Sequence, residues 1–161
     1  IDALPEGVSR LARKSAPAHE QETAESRVRR IFSSAPFMRW LGPELVRVEE
    51  GRVVTTLRIR PDHLQQDGFV HAGVLAALSD HTAGAACGTL LPAGRTPLAV
   101  EYKINLLRAA KCADTECEAR VLRPGRTVSV VEAEVFSVED GKRGKLLTKA
   151  QYTLSAMVIG G

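Results

Sequence analysis

The chain has 161 residues, a length at which one packed core is the ordinary outcome, and 44% of them are hydrophobic, as in soluble globular proteins. With 22 Lys and Arg against 19 Asp and Glu the net charge is +3, too small and too scattered for a nucleic-acid-binding surface. No apolar run approaches the roughly 18 to 20 residues that span a bilayer, and the start lacks the basic, apolar, small-residue order of a signal peptide. The three cysteines, Cys87, Cys112 and Cys117, have no C-x-x-C spacing, which argues against a zinc or redox site. The expectation is a soluble, unprocessed, cytoplasmic protein with reduced thiols, no metal, and neither nucleic acid nor membrane as a partner.

Residues 1–19 are polar and broken by Pro5, Gly7 and Pro17, and read as a flexible N-terminal extension ahead of a single domain over residues 20–161. From Glu20 to about Ser34, Val28, Ile31 and Phe32 recur at helical spacing among arginines, and Pro36 closes that short amphipathic helix. Glu44 to Glu50, then Gly51, then Val53 to Arg60 reads as two strands joined by a tight turn, with Val53, Thr55, Leu57 and Ile59 on one face. The stretch from about His71 to Leu90 is rich in alanine, free of proline and apolar almost all round, which predicts a helix of about five turns inside the protein. Four alternating segments follow. Leu98, Val100, Tyr102, Ile104 and Leu106 share a face on the first, and Thr115, Cys117, Ala119 and Val121 on the second. Val131, Ala133 and Val135 mark the third, and Ala150, Tyr152, Leu154 and Ala156 the fourth. A long apolar helix needs a curved apolar surface to cover it, so the order implies an α+β fold, an antiparallel sheet of about five to six strands wrapped around one central helix.

Asp80 lies midway along that helix. An unpartnered carboxylate in an apolar interior costs several kcal/mol, and the relief is a raised pKa or a paired donor. Asp80 is therefore either an active-site group or an arginine-paired residue that specifies packing. His81 is about 100° further round the helix. It should not share one small site with Asp80 unless that helix surface lies at an interface, and a partly buried structural histidine is the expectation. His71 stands at the helix start, where it either caps the helix or packs at the loop. The first helix amides there carry the positive end of the macrodipole and suit a carbonyl oxygen gaining charge.

The pattern Gln65-x-x-Gly68-x-x-His71-Ala72-Gly73, with Asp80 nine residues beyond the histidine, resembles the PaaI-type acyl-CoA thioesterases of the hotdog superfamily, to which 4-hydroxybenzoyl-CoA thioesterases also belong. The resemblance runs from the first hairpin through Ser155. It implies hydrolysis of an acyl- or aryl-CoA to the free acid and coenzyme A, with no cofactor beyond the coenzyme A of the substrate. It casts Asp80 as general base or nucleophile and the Gly73 amide or its neighbour as the group that polarises the carbonyl. His71 would hold the loop and the thioester, and Gln65 would reach the carboxylate across a dimer interface. The arginine and lysine pairs Arg108 with Lys111 and Arg123 with Arg126 are chemically suited to the nucleotide phosphates. A homodimer, or a dimer of dimers, follows from a sheet that ends in an open edge and half a site. Three positions depart from the family pattern: Gln65 stands for Asn, Ala72 for Gly, and Ala99 where relatives carry Ser or Thr. Those departures keep a non-catalytic acyl-CoA binding or sensing protein as the alternative. A hydratase ranks last because its Asp and His spacing is missing.

Overall fold

The computed structural model describes residues 23–158. The N-terminal extension expected over residues 1–19 lies outside them. Helix α1 is Ala24–Ser34, opened by Thr23, whose hydroxyl accepts from the amide of Ser26 at 3.1 Å. Pro36 does not merely end α1. It occupies the first turn of a second helix, α2 (Pro36–Leu41), a position where a missing N–H costs nothing. Next come β1 (Glu44–Glu49) and β2 (Arg52–Arg58), joined through Gly51 at φ 72°, and a 3-10 turn at Pro61–His63 that the sequence reading did not foresee. The central helix α3 spans Ala72–Gly88. It is followed by β3 (Arg95–Leu106), β4 (Asp114–Arg123), β5 (Val128–Glu139) and β6 (Lys142–Val158).

All six strands form one antiparallel sheet in the order β1-β2-β4-β5-β6-β3. The strand that follows α3 is thus carried past three others to the far edge, where it pairs with β6. Alternation places Cys117, Ala119, Val131, Ala133, Val135 and Tyr152 on the concave face, and every one is fully buried. Leu75, Leu78, Ala83 and Ala86 of α3 fill the groove they form. Small residues on both surfaces let the helix lie close to the sheet. Of the polar groups on these surfaces, Thr55 and Thr82 share a hydroxyl pair at 2.8 Å and Ser79 and Tyr152 one at 2.6 Å, while the buried Thr148 hydroxyl has no partner among the described residues.

The phase of β3 differs from the simple alternation expected. A bulge between Ala99 and Glu101 leaves Val100 out of the ladder, so Pro97 and Ala99, not Leu98, share the inner face with Tyr102, Ile104 and Leu106. β3 is an edge strand, and Leu98, Val100, Tyr102 and Leu106 are each more than half exposed on it.

Candidate active site

Asp80 is half-buried on the flank of α3. It lines a cavity of about 220 Å³ bounded by α1, α3, β3 and β6, with Ile31, Gly84, Pro97, Ala99 and Leu154 among its walls. Among the described residues no side chain donates to its carboxylate, and burial holds its pKa above the ordinary carboxylate value. The arginine-paired alternative is therefore not what the fold builds. The buried carboxylate that does have arginine partners is Glu118, on the other face of the sheet, held at 2.9 Å by Arg52, 2.7 Å by Arg120 and 2.7 Å by Arg143.

His81 is the partly buried, packed histidine expected, but its place round the helix does not keep it apart from Asp80. It lines the same cavity as Asp80, because the cavity wraps around the helix flank between α1 and β3 and reaches both positions. Its ring packs on Phe32 with centroids 4.4 Å apart, its Nε2 is buried with no hydrogen-bond partner, and burial pushes its pKa down to about 4. A neutral ring of that kind serves as a wall and not as a base at neutral pH.

The other expected site residues gather at the far end of α3. His71 is the N-cap, and its Nδ1 accepts from the Gly73 amide at 2.9 Å, while its carbonyl takes the Val74 amide at 2.9 Å. Within the chain the Gly73 amide is thus already engaged, and the first-turn amide left without an acceptor among the described residues is that of Ala72. Gln65 sits in the preceding loop with its side-chain oxygen accepting from the Asp67 amide, and it lines a second cavity with Ala72, Leu106 and Arg108. Gln65 and Asp80 therefore do not meet inside one chain. Arg108 donates to the Leu146 carbonyl at 2.8 Å near the start of α3, and Lys111 is close by on the same loop. Arg123 and Arg126 lie near its other end, where Arg126 shares a cleft with Leu90, Leu91 and Arg95. The two pairs are separated by the length of α3, roughly 25 Å at 1.5 Å per residue. Among the described residues no three His, Cys, Asp or Glu side chains converge as a metal would require, and no helix is long and apolar enough to cross a membrane.

Two contributors to the cavity region were missed in the sequence. Ile31 was read only as part of an amphipathic helix, and nothing local could show that α1 lies over Asp80. Tyr152 was placed on the core face by alternation, but its hydroxyl bond to Ser79, next to Asp80, and its stack on Tyr102 at 5.1 Å depend on which strands adjoin.

The sequence model described as the thioesterase superfamily matches residues 67–143, which hold α3 and the three strands after it. A thioesterase family protein of Silicibacter pomeroyi, of known crystal structure, superposes with a TM-score of 0.80 and is 30% identical, over 84% of this chain and 98% of that one. A candidate esterase of Saccharolobus solfataricus is 31% identical over 81% of this chain and 93% of its own. The chain belongs to the thioesterase superfamily. As a superfamily member it is a hotdog-fold thioester hydrolase, and the PaaI-type resemblance holds in three dimensions. The phenylacetic acid degradation protein PaaI of Thermus thermophilus, in the structure of a single-residue mutant, is 27% identical over 76% of this chain and 100% of that one, with a TM-score of 0.68. The 1,4-dihydroxy-2-naphthoyl-CoA hydrolase of Listeria monocytogenes is 24% identical over 71% of this thioesterase and 90% of its own length.

Proposed function

We propose that this thioesterase hydrolyses an acyl- or aryl-CoA, with Asp80 as the group that activates or performs the attack. The observation that carries the reading is a half-buried carboxylate with a raised pKa, unpaired among the described residues, on the wall of a mostly apolar cavity. A carboxylate kept without a partner at that cost is available to take a proton or to attack a carbonyl. As a base, Asp80 takes a proton from water while the water oxygen attacks the thioester carbon. The tetrahedral adduct then collapses, the carbon–sulfur bond breaks, and the thiolate of coenzyme A leaves and is protonated. As a nucleophile, Asp80 attacks the thioester carbon, the carbon–sulfur bond breaks and the coenzyme A thiolate leaves and is protonated, and water then opens the resulting anhydride to the free acid and the Asp80 carboxylate. Ala72 lies eight residues, about 12 Å, from Asp80 along α3. The developing oxyanion therefore belongs at the α3 N-terminus of a second chain, where the Ala72 amide has no acceptor among the described residues and the Gly73 amide becomes free if His71 turns away.

The coenzyme A substrate rests on the likeness to the naphthoyl-CoA hydrolase together with the superfamily match. No metal or further cofactor enters this chemistry. Because Gln65 and Asp80 line separate cavities in one chain, the reading pairs two chains, so that Gln65 of one faces Asp80 of the other, and a homodimer or a dimer of dimers is its functional unit. The basic pairs Arg108 with Lys111 and Arg123 with Arg126 would hold the nucleotide phosphates from the two sides of such a junction.

The test is thiol release from acetyl-, octanoyl-, palmitoyl- and phenylacetyl-CoA, with Asp80→Asn beside the parent. Release by the parent and a loss of at least about a hundredfold in the variant, the scale of removing a general base, is expected. Equal rates in the two proteins would overturn the assignment of Asp80. Binding of CoA thioesters without release would favour a sensing protein.

A further inference from the structure

The cavity beside Asp80 is lined by residues of α3, β3 and β6 and by one residue from outside that framework, Ile31 of α1. α1 lies outside the residues that match the superfamily, and through Ile31 it brings only hydrocarbon to the cavity. It is nonetheless firmly seated. Val28 and Phe32 are buried, and Phe32 packs on His81. Arg27 donates to the carbonyls of Gly88 at 3.5 Å and Leu91 at 2.7 Å, gripping the C-terminal end of α3 where helix carbonyls lack partners. Ile31 stands three residues from Val28 and next to Phe32, and a β-branched side chain in a helix has essentially one rotamer. It is a fixed wall.

We propose that Ile31 sets the size of the acyl group, closing the acyl end of the Asp80 cavity so that compact acyl groups enter and long chains do not. This rests on the reading of that cavity as the thioester site. The cavity is open at Gly84, where an added methyl group would meet nothing within 4 Å. A volume of about 220 Å³ holds on the order of seven carbon-sized groups, at roughly 30 Å³ for each water-sized one. That matches a single ring or a chain of medium length, and a palmitoyl chain exceeds it about twofold. With His81 neutral and the rest of the lining mostly apolar, the pocket suits an uncharged acyl group.

The experiment compares kcat/KM for hexanoyl-, dodecanoyl- and palmitoyl-CoA in the parent and in Ile31→Ala, Ile31→Val and Ile31→Trp, each checked by thermal melting. Ile31→Ala should raise the dodecanoyl-to-hexanoyl ratio by about tenfold or more, the low end of what a methylene in an apolar pocket discriminates. Ile31→Val should raise it less, and Ile31→Trp should lower it. Ratios within about twofold of the parent in every folded variant would overturn the proposal. If the parent releases thiol from no ester, the Asp80 reading has failed, and the same ratio is then taken from the Kd values of the intact esters by calorimetry. A Kd ratio that shifts in Ile31→Ala keeps Ile31 as the size limit, and one that stays put removes it.

Discussion

Asp80 and Glu118 are both carboxylates withdrawn from water, and the fold treats them oppositely. Burial raises the pKa of Asp80, so the folded chain holds that proton more tightly than the unfolded one does. Its contribution to stability is present below the unfolded value near 3.8 and is lost as pH rises through the folded value, leaving the ionised group a liability at neutral pH. Asp80→Asn should therefore melt higher than the parent at pH 7, by about 2–4 °C for a gain on the order of 1 kcal/mol, while turnover is lost. The acid limb of kcat/KM should lie above the ordinary carboxylate range. An unchanged or lower melting temperature would show that Asp80 has a stabilising partner. Burial would raise Glu118 as well, but hydrogen bonds from Arg143 and Arg120, with their charges, hold it at about 2. Its stabilisation is present above the unfolded value near 4.5 and disappears as pH falls toward about 2. Glu118→Gln should cost about 1–3 kcal/mol in urea melts at pH 7, less than a fully buried pair because the arginines are partly exposed, and almost nothing near pH 2. A penalty that persists in acid would point to packing and not charge.

At the scale of elements, α3 was legible to within two residues at either end, because an alanine-rich apolar stretch without proline has few other folds open to it. The β4, β5 and β6 faces were equally plain from alternation. The phase of β3 was not, since the bulge at Val100 is a pairing event and leaves no mark on an apolar alternating stretch. α2 was missed because a proline after a helix reads as a stop, and here it also starts the next one. α1 was recognised as a helix, but its seat over α3 depends on Arg27 meeting carbonyls more than sixty residues away. Arg27→Ala should destabilise the fold by about 1–2 kcal/mol and speed amide hydrogen exchange in α1 before the sheet is affected. Uniform exchange through both would mean that α1 and the sheet open together.

For the whole molecule, the proposed pairing of two chains is supported by an edge strand with four large apolar side chains exposed and by site residues split between two cavities. Light scattering should give two or four times the 17.4 kDa of one chain. Val100→Glu, which places a charge on the open edge, should shift the mass toward one chain and reduce turnover by about a hundredfold or more, as expected when part of a catalytic constellation is removed. A single chain that kept full turnover would show the site to be complete without a partner. Local pattern by itself determined that a helix carrying one acid would lie inside an antiparallel sheet, because helix and strand periodicities and the cost of a buried carboxylate are properties of short stretches. The spacing from Gln65 through His71 to Asp80 likewise carried the superfamily. The tertiary structure alone decided that Asp80 stays unpaired while Glu118 takes the arginines, that His71 occupies the Gly73 amide, and that Ile31 walls the cavity. Each of these depends on groups far apart in the chain meeting at distances of a few ångströms, and residue order does not specify those distances until the sheet has closed around the helix.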